Sequence, residues 1–423
     1  MALNDNDRAI ASFTMLGHGL VHWFELSIPI FLVVWREEFP GVSLAFIGLI
    51  VALGYAPFGL GALPGGILAD RFGPKRLVLT CFTGMSLAFL SLSLATSIYL
   101  VGAALVLWGI AASVYHPAGM ALISTGAEKQ GTVFAYHGIA GNVGITLGPF
   151  AAATLLIFFE WQIVAALLAV PGVVAVLYGL RANFDTTAGV EGDTDADAGT
   201  PLTLSTFLSN SKRMFASAFL VVFVIVAFEG LFYRGVLTFL PEILQGLDAI
   251  ESIDLGSGLA GIDVGDYVFV GLLIVGMAGQ YAGGKLTEKM PVERGLVTIF
   301  GILAALALIF VPLSALGLVP LLVFCALLGF FLFAVQPFYQ VAVAQYTPPD
   351  TRGLSYGYTY LGEFGFGAMS IAIGGFVIGA VGLGAFFAVL AGFAVISAAL
   401  SALLLFGGDR IDFLESYETE PAD

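Results

Sequence analysis

Gly66-Ile67-Leu68-Ala69-Asp70-Arg71-Phe72-Gly73-Pro74-Lys75-Arg76 closes one long apolar run and opens the next. Small and apolar residues lead to an acid-base pair, then a Gly-Pro turn, then two more bases. A helix that ends, turns tightly and restarts beside a charged surface reads this way. Gly284-Lys285-Leu286-Thr287-Glu288-Lys289 repeats the Gly-x-Leu-x-acid-base core at a shift of 218 residues. A second echo, at a shift of 220, sets His116-Pro117 against Gln336-Pro337. A third joins His22 and Pro29 to Arg234 and Pro241, seven residues apart in each case. The chain is built twice from one plan.

The runs around the motif are too apolar for water. Of 423 residues 59% are apolar and 11% charged, and the mean hydropathy is +0.99. Soluble domains hold about 45–50% apolar and about 25% charged residues. A soluble enzyme is excluded. With Lys+Arg 15 against Asp+Glu 30, a net charge of −15, nucleic-acid binding is excluded too. The 54 glycines suit close helix packing in lipid. Cys81 and Cys325 each lie in an apolar run and read as buried free thiols. The opening residues carry no cleavable signal.

A helix crosses a bilayer with about 20 apolar residues. Twelve such runs are present, at 9–35, 43–69, 76–96, 98–125, 131–158, 161–181, 213–244, 264–287, 292–315, 318–346, 353–380 and 382–407. The chain therefore reads as an all-α integral membrane protein. An even number of spans puts both termini on one side. That side collects Arg8, Arg71, Lys75, Arg76, Lys129, Arg181, Lys212, Arg213, Lys285, Lys289, Arg294, Arg352 and Arg410, 13 of the 15 basic residues. The positive-inside rule makes it the cytoplasm. The expected location is the plasma membrane.

The longest polar interruption, 182–212, holds Asp185, Glu191, Asp193, Asp195 and Asp197 and cannot bury a core, so it reads as a disordered cytoplasmic linker. It separates an N-terminal bundle, 1–181, from a C-terminal bundle, 213–407. A short acidic tail, 408–423, follows. Crowded carboxylates fit work in high salt, where the Debye length falls to about 3 Å at molar concentration.

Twelve spans in two sixes, the long middle loop and the Gly66–Arg76 signature together resemble the major facilitator superfamily of secondary transporters over the whole chain. The Glu288 copy is degenerate. The resemblance implies two six-helix bundles related by a pseudo-two-fold along the membrane normal, each with inverted three-helix repeats. It also implies a central cavity lined by spans one, four, seven and ten. Tyr115-His116-Pro117, Gly141-Asn142-x-Gly144, Leu147-Gly148-Pro149 and the Gly-rich eleventh span are similar to the fosmidomycin-resistance exporters. Gly144-x-x-x-Gly148-Pro149 partly matches the antiporter motif of drug exporters but departs from it at Ala152-Ala153. The resemblance makes Gly66, Asp70, Arg71, Gly73, Lys75 and Arg76, with Gly284, Glu288 and Lys289, a gating motif. Asp70 at its own helix's C-terminus is unfavourable unless compensated. Arg71 or the N-terminus of a helix from the other half would compensate it, and the resemblance implies the latter, a latch that Gly66 lets approach closely.

Ionisable groups near a bilayer centre cost at least about 2.5–3.5 kcal/mol each, so they mark function. His18, His22 and Glu25, at i, i+4 and i+7, share one face of span one. Tyr115 and His116 stand in span four and Asn142 in span five. Span seven carries Glu229 and Arg234, about 140° apart around a helix and so poor partners. Span ten offers Gln336 and Gln340, and span eleven Glu363.

Three chemistries fit these groups. Glu25 with His22 or His18 carries a proton, with Glu229 and Glu363 as competitors for that role. Arg234 binds an anionic substrate through its planar, always charged fork. His18, His22 and Glu25 hold a metal ion, although no Cys or Asp cluster accompanies them. No nucleophile elbow, HExxH or phosphate-binding loop is present. An enzyme and an ATP-driven pump are set aside, and no cofactor is expected. The reading is a secondary active transporter of a small organic solute, proton-coupled and exporting, acting as a monomer. Its alternatives are a proton-coupled importer of an organic anion, a transition-metal transporter and a non-transporting receptor.

Overall fold

The computed structural model describes residues 3–189, 204–253, 263–347 and 351–407; the side chains of Asp70, Leu204, Arg352 and Gly353 lie outside this description. The acidic residues 191–197, Arg410 and the tail 408–423 also lie outside it.

Among the described residues twelve spans follow one another, the bent pair of helices after the first counted as one. The first half contains Asp5–Glu38, the bent second span, Pro74–Leu92, Ile98–Gly126, Gln130–Leu156 and Trp161–Arg181. The second half contains Phe219–Gln245, Val264–Thr287, Val292–Ser314, Leu318–Tyr346, the eleventh span and Leu383–Phe406. Among the described residues no strand is formed. Span starts follow local chemistry. Asn4, Ser43, Ser97 and Asp263 cap spans one, two, four and eight through side-chain oxygens. Burial of the Asp263 carboxyl raises its pKa above the usual aspartate value.

Two spans are irregular. Span two runs Leu44–Leu60, bends by 40° and continues as Ala62–Phe72. Pro57, which lacks an N–H, precedes the bend. The signature turn follows: Gly73 has φ 85°, a left-handed conformation that favours glycine, and Pro74 opens span three. Span eleven runs Arg352–Tyr360, widens into a π-helix at Leu361–Phe366 and resumes at Met369–Ala380. A π-turn inserts one residue and often marks a functional site.

Basic loops crowd one end of the bundle. At the opposite end the halves meet on three sides. Arg36 of span one pairs with Glu242 of span seven. Thr154 of span five hydrogen-bonds Tyr267 of span eight at 3.1 Å. Spans two and eleven touch through backbone: a Cβ on Gly48 would lie 2.8 Å from the Ile371 carbonyl oxygen and 3.2 Å from Gly375 Cα. This end of the molecule is closed. Nearer the basic loops, Leu63 packs against Gly357.

The signature glycines make no close approach in this structure. A Cβ on Gly66 or on Gly284 would meet nothing within 4 Å. Their preceding neighbours make the close approaches. Gly65 lies against Pro117 of span four, where a Cβ would fall 2.7 Å away, and Gly283 lies against the Ala334 carbonyl of span ten, at 2.3 Å. The two halves thus repeat one packing device, one residue earlier than the motif's first glycine. Lys75 donates to the Ala182 carbonyl and sits over the Phe184 ring. Lys285 and Glu288 form an exposed pair at 3.7 Å.

The described ends of the middle segment are ordered. Asn6 and Asp185 exchange backbone–side-chain bonds, and Gly189 N–H donates to the Thr125 carbonyl at 2.9 Å. The Thr187 backbone and hydroxyl donors hold the exposed Asp185 carboxyl below the usual aspartate range. Leu204–Phe215 is a helix. Asp7, fully buried, accepts from the backbone N–H groups of Glu128 and Lys129, at 2.9 and 3.0 Å, just before span five. That position favours a carboxylate.

Candidate functional site

Span one brings its polar face to the middle of the molecule, where spans four, five, seven and eleven converge. Glu25 is 1% exposed and takes two partners. Arg234, from span seven of the other half, donates to Oε1, and His22 Nδ1 lies 2.5 Å from Oε2. A carboxylate only accepts, so the His22 Nδ1 carries the hydrogen. His22 Nε2 lies 3.1 Å from His18 Nε2, and His18 Nδ1 lies 2.8 Å from the His137 carbonyl oxygen. The His137 ring stacks on His18 at 3.9 Å. His116 stands edge-on to His18 and His22, with centroids 5.4 and 5.7 Å away.

Among the described residues Arg234 is the most enclosed cation, at 1% exposure. Tyr55, Tyr233 and Phe364 surround its guanidinium at 4.8–5.3 Å from ring centre to Cζ. Such faces attract a cation. Tyr55 also donates its hydroxyl to the Glu25 backbone carbonyl at 2.5 Å. Among the described residues Arg234 Nε has no hydrogen-bond partner.

Glu229 is 2% exposed, and neither of its carboxyl oxygens has a partner among the described residues. Glu363, also buried, stands close enough to Glu229 and Arg234 to feel their charges, with Tyr339 nearby. The π-turn presses its backbone against span seven: a Cβ on Gly230 would sit 2.5 Å from the Glu363 carbonyl oxygen.

A second polar line crosses between the halves. Asn142 Nδ2 donates to Gln280 Oε1 at 2.8 Å, and Gln280 Nε2 donates to Gln336 Oε1 at 3.0 Å. Gln280 was absent from the sequence candidates, though an amide in an otherwise apolar span is the same signal that picked out Asn142. Gln340, one turn beyond Gln336, is exposed and joins neither line. Tyr115 is wholly buried and donates to the Thr14 carbonyl, with Gly17 flat against its ring, so it ties span four to span one. Asp70 offers no described side chain to the latch reading.

Charged and polar side chains buried midway between two six-helix bundles, closed off at one end, define a membrane transporter. Residues 14–370 match the family model of the Major Facilitator Superfamily. The chain belongs to that superfamily and is a multi-pass secondary transporter, not an enzyme. It is similar to a Na(+), Li(+), K(+)/H(+) antiporter of Planococcus maritimus, 32% identical over 171 residues, 38% of either chain. It is also similar to the nitrite extrusion protein of Bacillus subtilis (strain 168), 26% identical over 259 residues, 60% of this chain and 59% of the relative. The match thus covers less than two thirds of either relative. A crystal structure of a D-xylose-proton symporter shares the fold, with a TM-score of 0.71 and 13% identity over 94% of this chain and 97% of that one.

Proposed function

We propose that the protein is a proton-coupled transporter of a small organic anion, working by alternating access as a monomer in the plasma membrane. The basic-loop end and both termini face the cytoplasm. One observation carries the reading: Arg234 of the second half, buried and ringed by aromatic faces, bonds Glu25 of the first half while its Nε stays unpartnered among the described residues. A substrate carboxylate competes with Glu25 for this fork. Once the anion is bound, the halves are no longer joined by that ion pair.

Glu229 supplies the proton carrier. An unpaired carboxylate buried at this depth costs several kcal/mol, whereas a neutral carboxyl does not. Substrate adds negative charge beside Glu229 and Glu363, and like charges favour proton uptake. Anion and proton therefore load together. Glu25, saturated by Arg234 and His22, serves as the gate that the anion displaces. Export is the second reading. Relatives named for antiport and for extrusion support it, and proton and anion would then occupy the site in turn rather than together.

Proteoliposomes given a panel of radiolabelled carboxylates, with and without a pH gradient, test both. The expected result is pH-driven movement of an anion in the parent protein. Glu229→Gln abolishes this but keeps anion exchange at equal pH. If Glu25→Gln alone shows that pattern, the proton site belongs to the first half. Movement of cations or neutral solutes with no anion moved removes the role given to Arg234.

A further inference from the structure

We propose that His18, His22 and His116 form a binding site for a late first-row transition-metal dication of the zinc class. The ligating nitrogens of these three residues lie within 4.8 Å of one another. Their tautomers make the cluster more than a coincidence of rings. His22 Nδ1 faces a carboxylate oxygen at 2.5 Å and His18 Nδ1 faces a carbonyl oxygen at 2.8 Å. Both oxygens only accept, so both Nδ1 atoms carry hydrogen. In the neutral rings each Nε2 is then a bare lone pair, and the two point at each other across 3.1 Å. Facing lone pairs repel unless a proton or a metal ion bridges them.

The spacing suits a metal. Imidazole nitrogens bind zinc at about 2.0–2.1 Å, which in a tetrahedron separates two of them by about 3.3–3.4 Å. The 3.1 Å gap needs a few tenths of an ångström of relaxation. His116 needs a modest ring swing to complete a three-nitrogen set. The outer contacts also suit it. A carboxylate behind one ligating histidine and a backbone carbonyl behind another fix ring orientation and raise ligand basicity. Glu25 and the His137 carbonyl stand in those places. Three imidazoles select zinc, nickel or copper over magnesium or calcium, which prefer oxygen. All three ligands belong to spans one and four, so the ion travels with the first half and does not bridge the two. The inference shares one residue with the anion reading, His22, which there helps to hold Glu25 in place; His18 and His116 belong to the metal site alone.

The test is binding, read without transport. Full-length protein in mild detergent is titrated calorimetrically with zinc chloride, and separately with cobalt(II) while the visible absorption of the metal is followed. We expect one zinc per chain, cobalt bands of a nitrogen-rich low-coordinate site, and no magnesium binding. His18→Ala, His22→Ala and His116→Ala each weaken zinc at least tenfold. Glu25→Gln weakens it about tenfold, the size of effect that loss of an outer partner produces. His137→Ala keeps its backbone carbonyl, so its Kd stays within about twofold. Absence of stoichiometric zinc and cobalt binding in the parent protein overturns the proposal, since the two nitrogens then share only a proton. So does undiminished zinc binding when all three histidines are replaced, or a His137→Ala loss equal to that of His116→Ala. The cobalt spectrum of the parent decides the matter even if a variant fails to fold. Metal binding lost with anion transport intact removes the site alone; the converse removes the transport reading alone.

Discussion

Replacing Glu25 by Gln removes the charge that joins the two halves at their centre. Arg234 is then a buried cation without its bonded carboxylate, and breaking a buried pair from one side costs about 3–5 kcal/mol. Two features pull the value to the low end. Glu229 and Glu363 lie within electrostatic reach of the guanidinium, and the Gln oxygen still accepts from His22 Nδ1. About 3 kcal/mol is expected. Arg234→Met leaves Glu25 with His22 alone and should cost a similar amount, because Met fills the space among Tyr55, Tyr233 and Phe364. The double variant carries neither charge but still buries the polar Gln, so its loss should be about that of one single variant, about 3 kcal/mol, and fall short of the summed single losses by about 3 kcal/mol. Equilibrium unfolding of the four purified proteins in mixed micelles gives the cycle. Additivity within about 0.5 kcal/mol, the behaviour of independent sites, would refute the pairing on which the gate rests.

Three further outcomes are expected. Gly48→Leu drives a side chain into the Ile371 carbonyl and Gly375, so the end away from the basic loops cannot close; cysteine labelling from that side should rise and transport should fall at least tenfold. Asp7→Ala strips the Glu128 and Lys129 amides of a charged acceptor and should lower stability by about 2–3 kcal/mol in the same unfolding assay, hydrogen bonds to charged groups being worth about 1.5–3 kcal/mol. Asp70→Asn or Arg71→Ala should slow transport while leaving substrate affinity within about twofold; equal rates in mutant and parent vesicles would end the latch reading.

The twelve spans could be read because lipid imposes one rule on every residue of a run, and hydropathy measures it directly. The bend after Pro57 and the π-turn at Leu361–Phe366 left no such trace, since each changes a helix's path without changing its composition. The bent span two also explains the signature glycine: which of Gly65 and Gly66 faces a neighbour depends on rotation about the helix, and only packing fixes that. Spacing placed His18, His22 and Glu25 on one face because all three ride one helix. Arg234 lies 209 residues from Glu25, so no local pattern could join them. Asp7 precedes the first apolar run, where hydropathy assigns it no role; its partners arrive from the loop before span five. The acidic middle segment was read by composition, which misses the few bonds that tie residues 182–189 to Asn6, Lys75 and Thr125.

Along the seam of spans two and eleven the halves touch largely through glycine backbone, with the Phe58 and Phe364 rings, 4.5 Å apart, between the glycine contacts. Gly48 meets Gly375, Gly59 meets Gly365, where a Cβ would fall 2.0 Å from a backbone nitrogen, and Leu63 meets Gly357. A seam of this kind behaves as a plain bearing. Few knobs must leave holes when one surface turns on the other, so rocking there needs few rotamer changes and opens little void. On the opposite flank the halves are buttoned by Thr154 to Tyr267 and by Asn142 to Gln280. At about 0.5–1.5 kcal/mol for each net hydrogen bond, those two buttons amount to about 1–3 kcal/mol. The balance between the molecule's two postures is then within reach of a single bound solute, and a ligand that did no more than clip the buttoned flank shut would stop the cycle without approaching the central charges.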